Sequence, residues 1–142
     1  MNRAQEKLQG AMKHAMANRP KVGGFPYLAE CLRLAGVEHN LWSLPGAQSI
    51  YVMKDGVVVQ QGIPLVTGMN DVPSFNEEAL ITALRIDQAG QSTFPEFLLA
   101  TWNAGVISYD VDFSAHTVSY YGARGECYKE SYPSVDVGEI TS

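Results

Sequence analysis

Two stretches decide the reading of this chain: "FPYLAECLRLAGV" at residues 25–37 and "FPEFLLATWNAGV" at residues 94–106. Each places Pro where a helix begins, since the first turn needs no N–H partner. Each then places Gly where a helix must close in a left-handed conformation before an extended segment. Sliding the second half onto the first by 69 residues, without gaps, aligns Phe25 with Phe94, Pro26 with Pro95, Ala35 with Ala104, Gly36 with Gly105, Val37 with Val106, Tyr51 with Tyr120 and Gly56 with Gly125. That is seven identities between residues 25 and 56, where average composition yields about two.

Working outward, both halves predict the same order of elements. Ala4, Leu8, Ala11 and Ala15 fall at helical spacing, so a helix is expected over about residues 3–18, followed by a second from Pro26 to about Leu34. Strands are expected at 39–44, 48–54 and 57–61, with a hairpin turn at "KDG". The Gly- and Pro-containing segment 62–73 reads as a linker. Ser74 with Glu77, and Thr93 with Glu96, have capping-box spacing ahead of two further helices. "VISYDVDF" then alternates cleanly, with Ile107, Tyr109, Val111 and Phe113 on one face and Ser108, Asp110 and Asp112 on the other. Strands at 117–122 and 126–132 complete the second set.

The expectation is an α+β fold in a single domain, residues 1–142, made of internally duplicated helix-helix-three-strand units. The pseudo-repeats are 5–61 and 74–130, each too small to be comfortable alone. Their antiparallel strands would form one six-stranded sheet with helices on one side, or two facing sheets. Parity raises one difficulty. Val118 and Tyr120 share a strand face, but their counterparts are Ser49 and Tyr51, and the more apolar Ile50 and Val52 have the opposite parity. Either a bulge shifts the register or that strand is buried on both faces.

Composition sets outer bounds on function. The hydrophobic fraction is 46%, the charged fraction 18% and the net charge −5, which suits a globular protein and disfavours nucleic-acid binding. No apolar run reaches signal-peptide or membrane-span length. Two cysteines, Cys31 and Cys127, do not make a disulfide framework, so a cytoplasmic location is expected. His14, His39 and His116 lack metal-ligand spacing, and no nucleophile elbow, phosphate loop or dinucleotide fingerprint occurs. No cofactor and no metal are expected. Gly23 and Gly24, with Lys21 nearby, precede a helix end that could take an anion, although a tight turn explains them as well.

Two features stand out from this background. Asp110 and Asp112 share a strand face and could serve as an acid pair or as cation ligands, against the simpler reading of a solvated sheet face. Tyr109, Tyr120, Tyr121, Tyr128 and Tyr132 crowd into 24 residues, out of seven tyrosines in the chain. Phenols want a partner for the O–H, and several on one sheet often line a wet groove or an interface. The candidate binding residues are therefore Asp110, Asp112, Tyr121, Glu126 and Tyr128, as the wall of a shallow polar groove. The cleft between the two halves is the other place to look.

"RPKVGGFPYLAE", "FNEEAL", "DQAGQSTFPEF" and "VDFSAHTVSYYGARGECYKESYP" together resemble a family of small uncharacterised bacterial and prophage proteins typified by Escherichia coli YbcV, sometimes labelled phage envelope protein. The resemblance implies a bacterial or prophage origin and carries no catalytic residues. The functional expectation is a non-enzymatic binding or interaction module using the tyrosine-rich sheet or the cleft between repeats. Its partner would be an unknown protein or small molecule, with no nucleic acid and no membrane, and a homodimer is compatible. The alternative is a small acid-dependent or metal-dependent enzyme using Asp110, Asp112 and Glu126.

Overall fold

The computed structural model describes residues 3–138; residues 1–2 and 139–142, which fall within the expected domain span, lie outside the described residues. Helix α1 (Arg3–Asn18) buries Ala4, Leu8, Ala11 and Ala15, the stripe that its periodicity predicts. Helix α2 (Gly24–Leu34) starts after Gly23, which is left-handed at φ 72°, and buries Ala29, Cys31 and Leu32. Strands β1 (Val37–Ser43), β2 (Gln48–Met53) and β3 (Gly56–Gln61) follow. After a segment without helix or strand come α3 (Glu77–Gln88), α4 (Phe94–Asn103), β4 (Val106–Asp112), β5 (Thr117–Gly122) and β6 (Cys127–Ser131).

All six strands join one antiparallel sheet in the order β3-β2-β1-β4-β5-β6. The fold is α+β, and of the two expected arrangements it is the single sheet. The halves meet where β1 pairs with β4, from His39 opposite Asp112 to Ser43 opposite Ser108. On one face, Asn40, Tyr51, Met53, Tyr109, Val111, Val118 and Tyr120 are buried beneath the helices. Helix α1 packs with α2, and α3 with α4.

The same backbone irregularities recur 69 residues apart. A bulge interrupts β1 against β2 between Val37 and His39, and another interrupts β4 against β5 between Val106 and Ser108. Beyond the bulges, Asn40 faces Tyr51 as Tyr109 faces Tyr120. Positive φ occurs at Gly36 and Gly105, at Ala47 and His116, and at Gly56 and Gly125. The parity difficulty has a simple resolution. Ser49 and Tyr51 do face the helices, as Val118 and Tyr120 do, so Ile50 and Val52 stand on the opposite sheet face, only partly buried.

Two local expectations change. Ser74 does not cap α3; Asn76 does, its Oδ1 accepting from Ala79 N at 3.0 Å, because the helix begins two residues later than Ser74 would require. At the next helix the capping box forms as expected: Thr93 Oγ1 accepts from Glu96 N at 3.3 Å, and Thr93 N donates to Glu96 Oε1 at 2.8 Å. Ile107 falls at the bulge, where two residues oppose one, so Val106 takes the fully buried place and Ile107 is only partly covered.

Gly36 and Gly105 both close helices with left-handed backbone, at φ 101° and 89°. Their surroundings differ. A Cβ at Gly36 would meet only Lys54 Cβ, at 3.9 Å, whereas one at Gly105 would run into the backbone of Ser74 and Phe75. Gly36→Ala should therefore cost about 1–2 kcal/mol through backbone strain alone. Gly105→Ala should cost distinctly more, because the 74–75 backbone must also move. Urea denaturation of the two variants checks this, and equal losses would contradict it.

Candidate functional site

The sheet floor and the four helices enclose a cleft of about 470 Å3 to which every helix and every strand contributes a lining residue. That volume lies within the usual range for small-molecule sites. Met12 and Met16 of α1, with Phe25, Leu28 and Leu32 at or within α2, form one wall. Leu84 of α3, with Phe94 and Phe97 of α4, forms the other. At one end the α1–α2 loop reaches the end of α3: Lys21 O lies so near Gly90 that a Cβ there would sit 2.7 Å away.

The floor is aromatic. Trp42 on β1, Tyr109 on β4, Tyr120 on β5 and Tyr128 on β6 are direct cross-strand partners, one after another across four adjacent strands. Their ring centroids are 5.9, 5.5 and 6.5 Å apart along the row, and Trp42 and Tyr109 are nearly parallel at 16°. Phe94 meets Trp42 edge-on at 5.3 Å. Asn40 sets the start of the row. Its Nδ2 donates to Ile50 O at 3.2 Å, and its Oδ1 accepts from Trp42 Nε1 at 2.7 Å, which fixes the indole two residues along the same face.

Tyr109 and Tyr120 are 7% and 6% exposed, yet neither hydroxyl has a hydrogen-bond partner among the described residues. Both residues line the cleft, and neither oxygen is sealed within protein. Two adjacent phenol donors without a protein partner therefore open onto one space and leave their hydrogen bonds to whatever fills it. Burial pushes both phenols well up, with Asp87 adding to the rise at each and Glu130 at Tyr120, so both stay protonated donors. Tyr51 differs, since its O–H reaches Gln60 Oε1 at 3.4 Å.

Two carboxylates edge the cleft in opposite electrostatic states. Burial raises Asp87, against a hydrogen bond from Ser92 Oγ at 3.1 Å and the charge of Arg19. Burial would raise Glu130 too, but hydrogen bonds from Arg85, Tyr128 and Gln88 outweigh it and leave the carboxyl lowered.

The five residues singled out from the sequence do not assemble into one groove. Asp110 lies on the open sheet face with His39, Nδ1 to Oδ1 3.3 Å. Asp112 caps its own turn, its Oδ1 accepting from Ser114 N and Ala115 N at 3.1 and 3.0 Å. Glu126 does likewise in the β5–β6 turn, where its Oε1 accepts from Arg124 N at 2.9 Å. Tyr121 is exposed on the open face, whereas Tyr128 points the other way and joins the aromatic row. Strand alternation separates them: in β6, Cys127 and Lys129 are exposed and Tyr128 and Glu130 are partly covered. Among the described residues no three His, Cys, Asp or Glu side chains gather as metal ligands. Tyr109 and Tyr120 belonged to the tyrosine cluster visible in the sequence; Trp42, Phe94 and the helix walls carried no such local mark.

Comparison with known proteins places the chain. A family model described as a protein of unknown function, DUF1398, matches residues 13–131. The chain belongs to that family. It is also 50% identical over 129 residues, 91% of its own length and 79% of theirs, to uncharacterised proteins of Mycobacterium bovis (Mb2035) and Mycobacterium tuberculosis (Rv2012). The matched region contains every residue of the cleft from Met16 to Ser131. No helix of the described residues is long and apolar enough to cross a membrane.

The two carboxylates predict opposite pH effects. The raised Asp87 opposes folding once it must ionise, so Asp87→Asn should raise Tm at about pH 7 and leave it unchanged near pH 3, below the ordinary Asp value. The lowered Glu130 stabilises the fold above the ordinary Glu value and loses that contribution as pH falls through its folded value. Glu130→Gln should therefore lower Tm at about pH 7, with the difference shrinking below about pH 4. Thermal melts across that range check both signs.

Proposed function

We propose that this protein is a small-molecule binding module whose site is the cleft above the β1–β4 seam. The observation that carries the reading is the pair of Tyr109 and Tyr120 hydroxyls, open to a mainly apolar cleft and bonded to no protein group among the described residues. A cavity of this size with a few polar groups on an apolar wall is the usual form of a ligand site. Met12 and Met16 at the α1 wall supply adaptable side chains of the kind used where shapes must be accommodated. Binding without turnover accounts for the arrangement, because the acidic side chains near the cleft are held by their own neighbours: Glu130 by Arg85, and Asp87 by Ser92.

The module is built from two copies of one ααβββ unit, residues 5–61 and 74–130, facing each other across the seam. The recurrence of bulges, register and left-handed positions at a 69-residue interval supports this. The two free cysteines fit a reducing cytoplasm, and the resemblance of the quoted segments to prophage proteins supports a phage-derived accessory role.

The test is binding of the neutral dye N-phenyl-1-naphthylamine, followed by its fluorescence. Saturable one-to-one binding is expected. Val118→Phe and, independently, Leu28→Phe add a ring to the cleft lining and should each weaken binding at least tenfold while Tm stays near that of the wild type. Val59→Ser, on the opposite face, should leave binding unchanged. Undiminished binding in both cleft variants would overturn the reading.

A further inference from the structure

Resting on the cleft as a ligand site, we infer that the ligand is an uncharged, flat aromatic molecule bearing a carbonyl-type oxygen, which the Tyr109 and Tyr120 hydroxyls hold together. Three observations converge on this class. The first is the donor pair. The rings are cross-strand neighbours 5.5 Å apart on one face of the sheet, so their O–H groups reach the same region of the cleft. Neither hydroxyl is occupied by protein. A carbonyl oxygen has two lone pairs and can accept from both at once.

The second observation is the row of rings. Trp42, Tyr109 and Tyr120 present successive π systems along the floor, with Phe94 edge-on to the indole. A planar conjugated ligand gains stacked or edge contacts there beyond the area that it buries, and a saturated ligand of the same size does not.

The third is charge. At the Tyr120 hydroxyl the Glu130 and Asp87 carboxylates each act more strongly than the opposing Arg85, so the net field at the donor pair disfavours an anionic head group. A cationic head such as an ammonium has no lone pair to accept from either phenol, and of the nearby carboxylates Glu130 is already held by Arg85 through paired contacts at 2.9 and 3.0 Å. Desolvating either kind of charge at this depth is costly. The neutral acceptor is the head group that satisfies both phenols without that cost.

Four ligands of nearly one shape test the inference: 2-acetylnaphthalene, 2-ethylnaphthalene, 2-naphthoate and 2-(aminomethyl)naphthalene, each competed against N-phenyl-1-naphthylamine. With the wild-type protein, 2-acetylnaphthalene should bind at least tenfold tighter than 2-ethylnaphthalene, and both charged compounds should bind more weakly than the ketone. With the Tyr109→Phe, Tyr120→Phe double variant, the preference of ketone over ethyl should collapse to within about twofold. Tm of that variant should be equal to or above the wild-type value, since the removed oxygens bond nothing in the protein. A lower Tm would show that the hydroxyls have structural partners and would overturn the inference. So would a ketone preference that survives the double variant, equal binding of ketone and ethyl compounds, failure of all four to compete, or tightest binding of either charged compound. In each of these cases bound dye keeps the cleft as a ligand site; loss of dye binding itself removes both readings.

Discussion

The pairing of β1 with β4 is the constraint on which the rest of the structure depends. Each half carries two helices on three strands, and three strands with so few helices make a marginal core. Joining the halves edge to edge removes an exposed strand edge from each and makes one six-stranded sheet. The joint runs antiparallel through five residue pairs without a bulge, so the twist and side-chain parity of one half continue into the other. Once the helices of both halves sit on the same face, α1 with α2 over one side and α3 with α4 over the other, the space above the seam belongs to neither pair. The cleft is thus a consequence of how the core is closed. Its floor is the seam, where Trp42 opposes Tyr109 and Asn40 opposes Val111.

Local signals in the sequence were read correctly where one short segment contained all the chemistry. Thr93 and Glu96 lie within one turn and cap each other, and Gly36 and Gly105 adopt the left-handed backbone that a helix-to-strand reversal needs. Signals that depend on register were read less well. Ser74 and Asn76 are both good caps, and the choice between them depends on where packing lets α3 begin. Ile107 belongs to an unbroken apolar alternation in the sequence, but the bulge at Val106 hands the buried position to its neighbour.

The site was harder to read, because its residues come from ten elements and carry no spacing rule. Asp110, Asp112 and Glu126 looked chemical because carboxylates are conspicuous, and each turns out to serve a neighbour: a histidine across the strand pair or the backbone N–H groups of a turn. The tyrosine cluster is split by strand alternation into Tyr109, Tyr120 and Tyr128 beneath the helices and Tyr121 outside. Sequence parity alone could not say which face the helices would cover. In β2 the apolar residues Ile50 and Val52 argued for one face, and the helices took the other.

That inversion leaves the protein with a second apolar surface. Leu41, Val57 and Val59 are 41%, 63% and 61% exposed on the open side of the sheet, beside the partly covered Ile50 and Val52. A hydrophobic small molecule therefore has two places to go, and the cleft is the one that combines enclosure with two adjacent phenol donors. Intermolecular nuclear Overhauser contacts from a bound naphthyl ligand separate them directly. Contacts to the ring protons of Trp42, Phe94, Tyr109 and Tyr120 are expected; contacts confined to the methyl groups of Leu41, Val57 and Val59 would place the ligand on the open sheet face and contradict binding in the cleft.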